Sequence, residues 1–159
     1  MSGSSQPGEG LESRSVEATE TVGAGLAARL EPGDVVLLEG DLAAGKTTLV
    51  RGLVRALGGD DGEVASPTFV LLLSYPCDAR GIHTVHHVDL YRLGERLGDL
   101  REIGLEEVLS DPVAVVAVEW PKNTLATWIP RGARVWRVAL TTRDDDTRLV
   151  EITPPGGAV

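Results

Sequence analysis

A three-layer α/β domain built on a mixed sheet, parallel at its centre, is what this sequence predicts. Three observations carry that expectation. Strand-like and helix-like stretches alternate through the first half of the chain. A glycine-rich loop, "GDLAAGKT" at residues 40–47, stands between a short aliphatic run and an amphipathic stretch. The second half is rich in strand-like segments, and its most apolar run, "PVAVVAVEW" at 112–120, delivers a carboxylate near its end. Alternation of this kind lays helices over a parallel sheet, and consecutive strands then add antiparallel partners to it.

Each element has its own reason. "SVEATETVGAGLAARLEPGD" carries Val22, Leu26 and Leu30 at helical spacing and stops at Pro32-Gly33, which predicts a helix and a turn. "VVLLEG" is short and aliphatic, as a buried strand is. "KTTLVRGLVRALGG" sets Leu49, Leu53, Val54 and Leu57 on one face and ends at a glycine pair, which predicts a helix with a glycine stop. "SPTFVLLLSYP" reads as extended, and "GIHTVHHVDLYRL" alternates like a strand. "LRE" and "GLEEVLSD" read as short helical pieces. "ARVWRVALTT" and "TRLVEITP" read as two strands around the acidic turn Asp144-Asp145-Asp146.

The 159 residues suffice for one domain with a core of its own. The domain is expected over 16–153. Residues 1–15, rich in Gly, Ser, Pro and Glu, and 154–159 read as disordered or flexible tails. The net charge of -9 argues against a protein that grips nucleic acid by its phosphates unaided. The single cysteine, Cys77, excludes an internal disulfide. No apolar run reaches the ~20 residues of a membrane helix, and the first residues lack the apolar core of a secretory signal. A cytoplasmic protein is the expectation.

The loop carries the chemistry. Gly40, Gly45, Lys46 and Thr47 fit G-x-x-x-x-G-K-[ST]. Glycines permit backbone shapes closed to other residues and let the chain approach a ligand closely. Successive N–H groups then form an anion-binding concavity at a helix N-terminus. Lys46 is placed to reach β and γ phosphates, and the Thr47 hydroxyl to coordinate Mg²⁺. Such a loop needs an acid at the end of a nearby strand. Glu119 and Asp89 are the two candidates, as metal acid or as the group that acts on the attacking water. The hydroxyls of "SPTF", Ser66 to Phe69, are candidates for sensing a γ-phosphate.

Taken together, "GDLAAGKTT", "SPTF", "HVDLYRL" and "VEWP" resemble one family, the bacterial TsaE (YjeE) ATPases of tRNA threonylcarbamoyladenosine biosynthesis. The resemblance covers roughly residues 21–121. It implies a compact P-loop NTPase fold that uses ATP and Mg²⁺. By the same resemblance, Asp41, Leu42, Ala43, Ala44, Gly45, Lys46, Thr47 and Thr48 hold the nucleotide, with Thr47 and Glu119 at the metal. Asp89 matches the acid implicated in hydrolysis, Thr68 falls in the switch loop, and Thr21 matches an early threonine near the nucleotide. Arg148 is the candidate for a nucleotide contact where the family carries a Gly-Arg. The family usually has glycine where this chain has Ala43. Family members work with two partners, TsaB-like and TsaD-like proteins, which modify adenosine 37 of tRNAs reading codons that begin with A. Contact with tRNA would be indirect.

Two rival functions share the loop. A small-molecule kinase would need an acceptor pocket and an Arg-bearing lid, and the Arg-rich stretch of Arg131, Arg134, Arg137, Arg143 and Arg148 is the segment to test for one. A nucleotide-binding adaptor would keep the loop without useful hydrolysis. His83, His86 and His87 lie on or beside one strand without a ligand set at zinc spacing. Glu102, Glu106 and Glu107 read as a solvated helical face.

Overall fold

The computed structural model describes residues 9–41, 43–64, 72–91, 104–143 and 146–156. Leu42, Thr68 with the rest of "SPTF", Glu102, Asp144 and Asp145 lie outside the described residues.

Seven strands form one sheet in the order β1-β7-β6-β2-β5-β4-β3. They are β1 (Glu9–Ser13), β2 (Val35–Gly40), β3 (Leu72–Ala79), β4 (Ile82–Asp89), β5 (Ala114–Glu119), β6 (Val135–Thr142) and β7 (Arg148–Thr153). The four central strands, β6, β2, β5 and β4, run parallel. The outer pairs β1–β7, β6–β7 and β3–β4 are antiparallel. The expected mixed sheet with a parallel centre is therefore what the chain forms.

Alternation along β2 and β5 sorts the core into two halves. Val36, Leu38, Val115 and Ala117 face α1 (Val16–Ala27) and α2 (Lys46–Ala56). Val35, Leu37, Val116 and Val118 face α3 (Leu105–Leu109) and the residues around the 3-10 turn Asn123–Thr127. The strands are buried on both faces, as parallel strands covered by two layers must be. Leu49, Leu53, Val54 and Leu57 are all fully buried, each such side chain contributing about 1.5–3 kcal/mol.

Helices α1 and α2 touch backbone to backbone. A Cβ on Gly23 would collide with the Leu49 carbonyl, and one on Gly52 with the Glu20 carbonyl. Only hydrogen fits at those two crossings.

The expectation of a disordered tail over 1–15 fails at Glu9–Ser13. That segment has one apolar residue, Leu11, too few to mark a strand, but β7 offers it an edge to pair with, and ladder hydrogen bonds need no apolar side chain. Ion pairs Arg29–Glu9 and Arg143–Glu12 and a buried Ser13–Thr19 hydroxyl bond of 2.6 Å hold it in place.

Candidate nucleotide-binding site

The parallel register decides where the site lies. Leu38 and Asp89 both sit opposite Glu119 on neighbouring strands. The carboxyl ends of β2, β4 and β5 therefore meet at one edge, where β2 runs into the glycine loop. A cavity of about 510 Å³ opens there. Its floor is the loop and first turn of α2, from Ala43 to Thr48. Asp89, Glu119 and Trp120 form one wall. Arg14, Ser15, Val16 and Thr19, at the start of α1, form the opposite wall, with Asp146 and Arg148 at the rim.

The loop has the backbone its glycines predict. Gly45 takes φ 107°, in the left-handed region, immediately before α2. Gly40 takes φ 150°, and a Cβ there would lie 2.6 Å from the Leu140 carbonyl. Ala43 is also left-handed, at φ 63°. That conformation costs a non-glycine residue about 1–2 kcal/mol.

Lys46 is buried and folded back onto its own loop. Its ammonium donates to the Gly40 carbonyl and, at 3.1 Å, to the Asp41 carbonyl. It also sits 3.8 Å above the centre of the Trp120 ring. Desolvation pulls its pKa below the usual lysine value, and Glu119, Asp89 and Asp41 oppose that shift. A buried ammonium at a helix N-terminus attracts an anion.

The two acids differ in their partners. Thr47 Oγ1 donates to Glu119 Oε2 at 3.1 Å, and His87 Nε2 lies 2.5 Å from the same oxygen. Asp89 Oδ1 accepts from the Tyr91 N–H at 2.8 Å. Both carboxylates are almost wholly buried. Thr47, Glu119 and Asp89 offer hard oxygen donors, as Mg²⁺ requires. Among the described residues no group of three His, Cys, Asp or Glu forms a metal cage.

Of the residues singled out in the sequence, Ala43 through Thr48, Asp89, Glu119 and Arg148 line this cavity. Asp41 does not line it; its backbone carbonyl braces the loop from within, accepting from Lys46 and from the Ala44 N–H. Thr21 does not reach it. Its hydroxyl bonds to the Glu17 carbonyl on the exposed side of α1, and Thr19, one half-turn earlier, lines the cavity instead. Helix phase explains the miss: residues two apart point to nearly opposite faces. The overlooked signal was Ser15, which caps α1 by accepting from the Ala18 N–H and so aims that helix end at the cavity. Arg148 spends its fork on carbonyls of Ala44, Ala43 and Asp146. The other C-terminal arginines do not form a lid among the described residues: Arg134 pairs with Glu31 and Asp34, Arg137 with Glu39, and Arg143 with Glu12. His86 is held by Ser74 and Asp111. Glu106 and Glu107 are exposed, as expected.

Comparison with known proteins gives one answer. A family model described as threonylcarbamoyl adenosine biosynthesis protein TsaE matches residues 13–150. The tRNA threonylcarbamoyladenosine biosynthesis protein TsaE of Rickettsia bellii is 37% identical over 142 residues, covering 87% of this chain and 90% of the relative. Its counterpart from Streptomyces coelicolor is 46% identical over 99 residues, 62% of this chain and 64% of the relative. Among solved structures, Bacillus subtilis YdiB superposes with a TM-score of 0.66 at 27% identity, over 94% of this chain and 88% of that one.

Proposed function

The chain belongs to the TsaE family, and from that premise we propose that it binds and hydrolyses ATP as an accessory protein in threonylcarbamoyl modification of adenosine 37 of tRNA. The observation that carries this reading is the buried Lys46 ammonium, set at the start of α2 and flanked by the carboxylates of Asp89 and Glu119. A lysine so desolvated gains most from an anionic ligand. The loop amides and the dipole of α2 reinforce the same preference.

In this mechanism the loop amides and Lys46 hold the β and γ phosphates and offset charge that develops during transfer. Thr47 and Glu119 would hold Mg²⁺, which supplies further neutralisation of the phosphate oxygens. Asp89 orients the attacking water for in-line displacement, its own carboxylate being oriented by the Tyr91 amide. The Arg14-to-Thr19 wall is left for the nucleoside. TsaB-like and TsaD-like proteins are the partners in this reading, and the net charge of -9 suits docking on protein better than on tRNA.

Calorimetric titration with ATP and Mg²⁺ tests the reading. The wild type is expected to bind, and Lys46→Ala to lose at least about 100-fold in affinity. ADP release should rise when the two partners are added. A wild type that shows no heat with ATP ends the proposal.

A further inference from the structure

The residue that nothing above puts to use is His87. It lies on β4 with no solvent exposure. Its register partner on β5 is Ala117, and Asp89, two residues on, faces Glu119. Residues two apart on a strand share a face, so His87, Asp89 and Glu119 all stand on the side of the sheet covered by α1 and α2. His87 packs against Tyr75, ring centres 6.2 Å apart, and its Nδ1 has no hydrogen-bond partner among the described residues.

A ring so enclosed cannot touch nucleotide or water in the cavity. Among the described residues its single polar link, from Nε2, is to Glu119 Oε2. A phenylalanine or leucine would fill the space without an unpaired nitrogen, and burying that nitrogen costs free energy. The compensating gain lies at Glu119. Its Oε2 is engaged twice, from behind by His87 and from the loop side by Thr47. Two anchors on one oxygen fix the plane of the carboxylate. Partners that orient a metal-binding carboxylate typically contribute 10–100-fold in metal affinity.

We propose that His87 is a positioning residue: it locks the Glu119 carboxylate in the orientation that receives the divalent cation accompanying ATP. This rests on the nucleotide-binding function proposed above.

The test separates metal-dependent from metal-independent binding. ATP affinity is measured by calorimetry in Mg²⁺ and in EDTA, and the ratio of the two is compared among variants. His87→Leu, which keeps bulk and loses the donor, is expected to lower that ratio about tenfold while the EDTA value holds. His87→Gln, which restores a donor, is expected to recover part of it. A folded His87→Leu with the wild-type ratio overturns the proposal, even if it melts earlier, because a packing role alone lowers stability and spares the ratio. A second measurement needs no variant. In wild-type protein labelled with ¹⁵N-histidine, the His87 Nε2 resonance should move when Mg²⁺ is added to the ATP-saturated protein. An unmoved resonance overturns the proposal. Absence of ATP binding by the wild type in both buffers would instead remove the functional reading beneath it.

Discussion

Two buried carboxylates stand at opposite ends of β2, and their surroundings differ in kind. Asp34, just before the strand, accepts at Oδ2 from the Trp136 indole N–H (2.9 Å) and the Glu31 N–H (3.0 Å). At Oδ1 it pairs with Arg134 at 3.1 Å. Both of its oxygens are committed, and Trp136 itself lies against the guanidinium groups of Arg29 and Arg134. Glu119, beside the far end of β2, carries both of its bonds to the described residues on Oε2. Asp34 is built as an anchor that finishes its chemistry in the folded chain. Glu119 is built with one oxygen tethered, next to a cavity and a buried ammonium. Burial alone does not mark a working residue; the distribution of its partners does.

Exchanging the two acids' fates is the strongest way to break this contrast. Asp34→Ala leaves the Trp136 N–H buried without an acceptor, and is expected to cost about 3 kcal/mol. In a chain of this size that is a fall of roughly 6–12 °C in Tm, read by calorimetry, with the ATP affinity of the folded protein unchanged. Glu119→Gln should do the reverse: ATP turnover about 100-fold lower, equivalent to roughly 2.7 kcal/mol of barrier, and Tm within a few degrees of wild type. A Glu119→Gln protein that unfolds early but turns over normally would make both acids structural.

Smaller effects sharpen the picture. Ala43→Gly relieves left-handed backbone at φ 63°. The gain, offset by the greater freedom of glycine in the unfolded chain, is expected at about 0.5 kcal/mol in stability, measured by denaturant unfolding. An unchanged or lowered midpoint would show that the loop already accommodates alanine without strain. Asp111 offers a further small effect. Its hydrogen bond to His86 holds its carboxyl below the usual value. A depressed acid stabilises the fold above its unfolded pKa of about 3.9, and that stability is lost as pH falls through the lower folded value. Asp111→Asn should therefore flatten the acid limb of a stability profile and cost no more than about 1 kcal/mol at neutral pH, since the pair is only part-buried.

The parallel centre of the sheet and the glycine loop before α2 were legible because their signals are local. Val35 to Leu38 are aliphatic without interruption, and the loop glycines sit at fixed offsets from Lys46. β1 was not legible, because its stability comes from the edge of β7, a strand more than a hundred residues away. Thr19 was missed for Thr21 because a two-residue offset that hardly matters in a sequence match turns a helical side chain to another face. The His87 contact was invisible for a third reason: it depends on the β4–β5 register, which no periodicity within β4 reveals.

The glycine crossings at Gly23 and Gly52 reach beyond packing. With main chain resting on main chain, the two helices have no cushion of side chains to absorb relative sliding. One bears Val16 and Thr19 of the cavity wall on its first turn, and the other bears Lys46 and Thr47 on its own. A ligand that tilts either helix must drag its neighbour along, so both ends of a bound nucleotide would be felt through a single stiff joint.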